Sequence, residues 1–375
     1  MAAFNQPFFF TAHDFDRDAL GRPFFVMDYI CNNLGEMIGE TFTLEEPSRI
    51  IAAEKVLEYG RQILRALDFL HHHQIIHRDI KPQNILVTDE DTLKICDFGM
   101  SLVQGVSFSG PANMQVGSPY YTPPEQRKQP QQVDGRADLY SVAVLLYRML
   151  TGQLPGMQSF SLSLINPRYD RGWDNFFARA LAWRPEDRFQ SAAEMLASLD
   201  GLTLGPPTAS GACTLDGEQK QVSLRREPAN ICRSRGQQAF AVNALFRPLV
   251  PICNRLLVKG EVVEDRATGL LWNRQVSRYP LSFAEAQTYV DQLNAAQTHG
   301  IDHWRVPTVN ELLSLLDDGE LRCFPDDPAL PVRWFWSCDR HGHHESWYVN
   351  MDMGFAGVLE SNCRNRVRAV ADAES

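Results

Sequence analysis

The sequence contains no apolar run able to cross a bilayer: its longest candidate, YSVAVLLYRML, is far shorter than the roughly 20 residues a transmembrane helix needs. Its start, MAAFNQPFFFTAHDFD, has no basic leader ahead of a long apolar core and does not read as a signal peptide, so a cytoplasmic location is expected. Basic charge is also scarce. The 36 Lys and Arg stand against 46 Asp and Glu, and the net charge of −10 argues against a general nucleic-acid or anionic-membrane binder, which needs a basic face to displace counterions. The eight cysteines form no CxxC pair and no regular framework, so most are expected as free thiols in a reducing compartment. No internal repeat occurs.

What is present suits a multidomain globular chain. The 375 residues allow two or three cores, and 44% hydrophobic with 22% charged residues is ordinary for folded protein. Two Phe-rich runs, PFFFTAH and PFFVMDYI, flank the polar DFDRDALGR and predict a β-hairpin. From Pro47 to His72 apolar residues recur at helical spacing, with Ser48 placed to cap the start. The segment ADLYSVAVLLYRMLTG is apolar almost all round and ends at Gly152, as a buried helix with a C-cap glycine does. RPEDRFQSAAEMLASL carries a further helical period. Near residue 200 the small, Pro/Gly-rich LDGLTLGPPTASGA reads as a linker. Beyond it the chain is rich in Trp, Cys and short strand-like runs, with helices expected at SFAEAQTYVDQLNAA and TVNELLSLLDD.

The stretch IIHRDIKPQNIL concentrates polar chemistry between apolar residues. Asp79, Lys81 and Asn84 fall within six residues, and Asp97 of ICDFG follows thirteen residues after Asn84. Phosphoryl transfer needs a carboxylate to orient the attacking hydroxyl, a cation beside the moving group and oxygen ligands for magnesium. Asp79 suits the first role, Lys81 the second, and Asn84 with Asp97 the third.

HRDIKPQN with DFG resembles the catalytic and magnesium loops of eukaryotic-like serine/threonine protein kinases, and further elements follow in order over residues 7 to 200. The resemblance implies ATP and Mg²⁺ as cofactors and Ser/Thr of a protein as acceptor. GSPYYTPPE looks like the end of an activation loop, with Ser118 beside the acceptor hydroxyl and Glu125 in the closing motif. Asp138 corresponds to the aspartate bracing the catalytic-loop backbone, and Arg188 to the arginine that pairs with Glu125. Phe98 and Gly99 complete the magnesium-loop motif after Asp97. FFVMDYI resembles the hinge, which makes Met27 the gatekeeper, sets the Asp28 and Ile30 backbone against adenine and makes Leu86 the pocket floor. His77 is expected to pack and hydrogen-bond the loop rather than carry protons, and the run His71–His73 is expected as a solvated helix terminus. Arg78 would pair with a phosphorylated loop residue, with Ser101, Ser107 and Ser109 as candidates.

Some of the family's parts are missing from the sequence. No GxGxxG precedes the hinge hairpin and no lysine precedes Lys55, so the expectation is a truncated representation of an active kinase, a kinase domain lacking most of its N-lobe. The alternatives are a decayed or frameshifted gene and an inert kinase-like scaffold or binding protein, or a fragment of one.

Residues 255–372 carry GEVVEDRATGLLWNRQ, DHWRVPTVNELLSLLD, WFWSC and NRVRAV. Their order resembles the C-terminal domain of collagen-like bacterial adhesins, a module grouped with C-type-lectin-like folds. Trp272, Trp304 and Trp336 read as scaffold and Arg305 as a loop tether. Ligand contacts for a peptide, protein or glycan are expected from SCDRHGHHESWYVNMDMGFAGVLESNCRNR, where Cys338, His341, His343 and His344 read as a solvated loop rather than as a zinc site. The expected layout is α+β throughout. A protein-kinase-like domain, mainly helical C-lobe plus hinge hairpin, covers 1–200, a linker 201–211, an unassigned and strand-rich extension 212–254, and a small C-type-lectin-like recognition domain 255–375. No nucleic-acid partner and no membrane span are expected.

Overall fold

The computed structural model describes residues 7–10, 12–40, 46–104, 117–156, 161–206, 222–317, 320–321 and 334–373. The chain forms two compact units, Met1–Thr208 and Ala209–Ser375, each with mixed helix and strand. Among the described residues no helix is long and apolar enough to cross a membrane.

In the first unit, β1 (Ala12–Arg17) and β2 (Pro23–Met27) form an antiparallel hairpin with Ala12 opposite Met27 and Arg17 opposite Pro23. Asp18 closes its turn by accepting from the backbone N–H groups of Leu20 and Arg22, both at 2.9 Å. The strand therefore starts later than the Phe-rich run predicts. Phe9 leaves the hairpin, bridges Ile95 and buries its ring beside Phe69 and Phe98, because the cavity there repays an aromatic side chain more than an exposed strand does.

β3 (Asn32–Asn33) and α1 (Leu34–Ile38) lead to the long helix α2 (Ala53–His72). Ser48 does not cap α2: the N-cap is Ala52, with no side-chain hydrogen bond, while Ser48 is buried and donates its N–H to Gly152 O. After α2 come β4 (Ile75–Ile76), β5 (Ile85–Val87), β6 (Leu93–Ile95), β7 (Leu102–Val103) and α3 (Pro124–Lys128). β3, β5 and β6 form one small sheet, and β4 pairs with β7. α4 (Arg136–Thr151) is buried almost all round and ends on Gly152 in the left-handed conformation. α5 (Leu162–Ile165), α6 (Arg171–Ala180) and α7 (Ala192–Asp200) follow, and α2 packs its apolar face on α4 and α7. The apolar face of α2 and the body of α4 thus make a rigid floor, from whose edge the loop after β4 projects.

The second unit opens with α8 (Arg233–Phe240). β8 (Leu256–Lys259), β9 (Val262–Asp265) and β10 (Leu270–Asn273) come next, then α9 (Phe283–Ala295), α10 (Val309–Ser314), β11 (Leu316–Asp317) and β12 (Glu320–Leu321). β13 (Trp334–Arg340), β14 (Glu345–Asn350), β15 (Phe355–Glu360) and β16 (Val370–Asp372) complete it. The strand orders are β16-β10-β9-β8 and β13-β14-β15, with β11 paired to β12. Trp272, Trp304, Trp336 and Trp347 are buried among these elements.

The piece before this domain is not the strand-rich extension expected. Within the described residues 222–251 it supplies α8 and isolated bridges only, and it is built into the core. Phe240 meets Trp347 edge-on at 4.8 Å, and Arg225 forks onto the buried Asp339 at 2.7 and 2.6 Å. Asp339 also accepts from the N–H groups of Ala229 and Val309, so one buried carboxylate joins this piece to β13 and α10. Arg305 grips Glu311 with two bonds of 2.7 and 2.6 Å and reaches Asp372 at 3.1 Å, tying loop to helix and last strand. The cysteines also depart from expectation: Cys31, Cys253 and Cys363 are disulfide-bonded, and Cys96, Cys232 and Cys338 are free.

Candidate active site

The loop between β4 and β5 is fixed from beneath. Asp138, in the first turn of α4 and fully buried, accepts from His77 N–H at 2.9 Å, Arg78 N–H at 2.8 Å and the His71 ring at 2.9 Å. This bracing holds Arg78 at a positive φ of 66°, a conformation a non-glycine residue keeps only where its surroundings enforce it. Burial disfavours a charged His77, which sits below the ordinary imidazole range, with Asp138 opposing that shift. Its Nε2 lies 3.0 Å from Cys96 O, and its ring meets Phe98 edge-on at 5.0 Å. His77 is thus a packing and hydrogen-bonding link between the two loops. His71 is not part of a solvated terminus: His72 and His73 are exposed and bond the carbonyls four residues back, whereas His71 turns inward to Asp138.

Above this brace one carboxylate gathers the polar groups. Asp79 Oδ2 accepts from Lys81 Nζ at 2.7 Å and from Asn84 Nδ2 at 3.0 Å, while Oδ1 accepts from the Ser118 hydroxyl at 3.0 Å. Asn84 Nδ2 also donates to Asp79 O at 2.8 Å. Its amide nitrogen is thereby committed to Asp79, and its oxygen is the end left to meet a cation. Asn84 O accepts from Cys96 N–H at 3.0 Å, which sets the start of β5 beside the end of β6 and brings Asp97 to the same edge. Asp97 has a positive φ of 60°, an exposed side chain and a 3.3 Å bond from Gly99 N–H. Asn84 and Asp97 offer hard oxygen donors, the type Mg²⁺ takes. Burial first, then Asp97, pushes the Cys96 thiol up to about 11, so it stays protonated at neutral pH.

The Ser118 loop is held just as firmly. Gly117, at φ +93°, passes so close to Arg78 O and Thr122 Oγ1 that a Cβ there would lie 3.0 and 2.5 Å from them. Thr122 Oγ1 donates to Ser118 O at 2.7 Å, and Gln126 Nε2 donates to Arg78 O at 2.7 Å. Glu125 and the buried Arg188 form a two-point pair at 2.6 and 2.8 Å, with the guanidinium over the Tyr140 ring.

The other predicted positions lie around this centre. Met27 ends β2 and is half-buried, as is Ile30, while Asp28 is exposed and paired to His13 at 2.7 Å. Leu86 is half-buried in β5 opposite Asn33 and Lys94. Arg78 donates to Met100 O at 2.6 Å and Pro130 O at 2.9 Å; Ser107 and Ser109 lie outside the described residues, and Ser101 reaches His77 O at 3.5 Å. Sequence reasoning misses the bracing roles of His71, Gln126 and Tyr121, whose partners Asp138, Arg78 and Glu40 lie far away in the chain. In the second unit Cys338 is on β13, His341 bonds Glu345 at 2.7 Å, and His343, His344, Glu345, Glu360 and Arg364 border a cavity of about 990 Å³ beside the start of α9.

Comparisons with known proteins match the chain to two families. Residues 21–197 match the protein kinase domain and residues 261–371 the Lcl C-terminal domain. The chain is 34% identical over 194 residues to a probable serine/threonine-protein kinase of Clostridium acetobutylicum, covering 48% of this chain and 28% of that one. It is 33% identical over 241 residues to a probable serine/threonine-protein kinase of Streptomyces coelicolor, with 58% and 34% covered. It is 30% identical over 239 residues to serine/threonine-protein kinase PknB of Mycobacterium tuberculosis, with 58% and 37% covered. The chain thus spans between 28% and 37% of the length of these curated relatives.

Proposed function

From a chain that carries a protein kinase domain of the bacterial serine/threonine type ahead of an Lcl C-terminal domain, we propose a serine/threonine protein kinase that transfers the γ-phosphoryl group of ATP to a protein hydroxyl, coupled to a recognition domain. The observation that carries the reading is the convergence of Lys81, Asn84 and Ser118 on the single carboxylate of Asp79.

In this reading Asp79 Oδ1 orients the acceptor hydroxyl and receives its hydrogen bond beside that of the Ser118 hydroxyl it already holds. Lys81, 2.7 Å from Oδ2, sets a positive charge beside Asp79 and the transferring group. Ser118 fixes the acceptor-side loop on Asp79. Asn84 and Asp97 would hold Mg²⁺, which when bound neutralises charge on the phosphate oxygens. Met27, Asp28, Ile30 and Leu86 would border adenine. A cytoplasmic setting is part of this proposal because ATP is its donor, and the disulfide-bonded Cys31, Cys253 and Cys363 weigh against a reducing one. The second unit would take its peptide, protein or glycan ligand at the 990 Å³ cavity, seven of whose ten bordering residues come from the late segment 343–364.

A second reading, an inert kinase-like scaffold, draws on a different observation. Every residue of β1 is exposed, and neither β1 nor β2 carries a lysine. Binding of Mg-ATP by the purified chain, with labelling of itself or a generic acceptor, supports the kinase. No binding and no labelling by this chain would leave the scaffold.

A further inference from the structure

We infer that Glu40 is a positioning residue that locks the acceptor-side loop to the catalytic loop and so governs how a protein acceptor docks, an inference that rests on the kinase reading. Glu40 follows α1, far in sequence from every catalytic candidate, yet its side chain is wholly buried. Its two oxygens reach three separate elements. Oε1 accepts from Gln83 Nε2 at 3.1 Å, in the catalytic loop between Lys81 and Asn84. Oε2 accepts from the Tyr121 hydroxyl at 2.6 Å and lies 2.7 Å from Arg148 Nε on α4.

Tyr121 passes the constraint on. Its N–H donates to Ser118 O at 3.0 Å, as does that of Thr122, while its own carbonyl accepts from Ser141 Oγ on α4 at 2.9 Å. The residue is therefore held at its hydroxyl by Glu40 and at its backbone by α4. Ser118 in turn rests on Asp79. Arg148 is 2% exposed on an otherwise apolar stretch of α4 and also donates to Glu46 O at 3.1 Å.

A buried ion pair of this kind is a poor way to gain stability, since apolar residues of similar volume would serve as well. What it supplies here is a fixed relation between two loops that a substrate must meet together. With its oxygens taken by Gln83, Tyr121 and Arg148, Glu40 acts through these partners and does not itself recognise a substrate side chain.

The test compares wild type with Glu40→Gln, Arg148→Met and the double variant, measuring KM for a serine-bearing model protein, KM for ATP, and hydrogen exchange at individual amides. Glu40→Gln should raise the acceptor KM about tenfold and leave the ATP KM within about twofold, because only acceptor positioning is lost. Tyr121 and Thr122 amides should exchange about tenfold faster while Val144 and Leu145 in α4 keep their rates. The double variant, which leaves no buried charge unpaired, should recover most of both effects. A parallel rise in both KM values, or equal acceleration in the loop and α4, overturns the inference. Should wild type transfer no phosphate, the kinase reading fails, and the exchange pattern alone then decides the role of Glu40.

Discussion

Replacing Asp138 with Asn tests the brace beneath the catalytic loop. The carboxylate is fully buried and accepts three donors, at 2.9, 2.8 and 2.9 Å. Asn keeps one acceptor oxygen but turns the other into a donor facing an N–H. One buried donor left unpaired costs roughly 1–3 kcal/mol, and loss of charge weakens the remaining bonds by about 1 kcal/mol more. The sum, about 3 kcal/mol, corresponds to roughly a hundredfold in an equilibrium constant. Arg78, at φ 66°, would then relax from a conformation that costs energy to hold. Residue-resolved hydrogen exchange reads this directly: the amides of His77 and Arg78 should exchange roughly a hundredfold faster in Asp138→Asn, with a matching drop in denaturant stability. If both amides stay within about threefold of wild type, the carboxylate is not what holds the loop.

Further expectations follow from burial and close packing. His77 is held neutral by burial, so the unfolded chain binds a proton there that the folded one refuses. Its stabilising share is complete above about pH 6.5 and is lost as pH falls from there toward the lowered folded value, at up to about 1.4 kcal/mol per pH unit. Asp138, whose carboxyl is held below its ordinary range, keeps its share until the pH falls below about 4, so urea midpoints between about pH 6.5 and 4.5 report on His77. His77→Phe should flatten that slope; an unchanged slope counts against the assignment. In the second unit, a Cβ on Gly236 would lie 2.8 Å from Phe246 and 3.0 Å from Trp347, so Gly236→Ala should destabilise by about 1–3 kcal/mol in tryptophan-monitored unfolding. No effect would mean that α8 is not packed as described.

The loop carrying Asp79 was legible as a candidate site because its chemistry is local. Asp79, Lys81 and Asn84 sit within six residues, and α4 announced itself through an apolar run ending at Gly152. The hairpin was legible in kind but not in register. Alternation cannot tell a strand from a segment that one cavity draws inward, and Phe9 filled the space near Phe69 and Phe98. His71 read as a solvated end because its partner lies 67 residues away on another helix. The extension 212–254 read as unassigned and strand-rich for the same reason: RSRGQQAF has little periodicity of its own, and what holds its described part is Asp339, more than a hundred positions later. Networks of buried charge such as Glu40 with Arg148 leave no periodic trace in the sequence at all.

The central claim is that the convergence on Asp79 performs phosphoryl transfer. The measurement that meets it most directly is the rate of γ-phosphoryl transfer from ATP to a serine-bearing protein by the full chain, wild type against Asp79→Asn, with ATP affinity measured in parallel. The account predicts transfer by wild type, a loss of at least about a hundredfold in Asp79→Asn and an ATP affinity unchanged within about threefold. Transfer at equal rates in both proteins, or none by wild type, would contradict it.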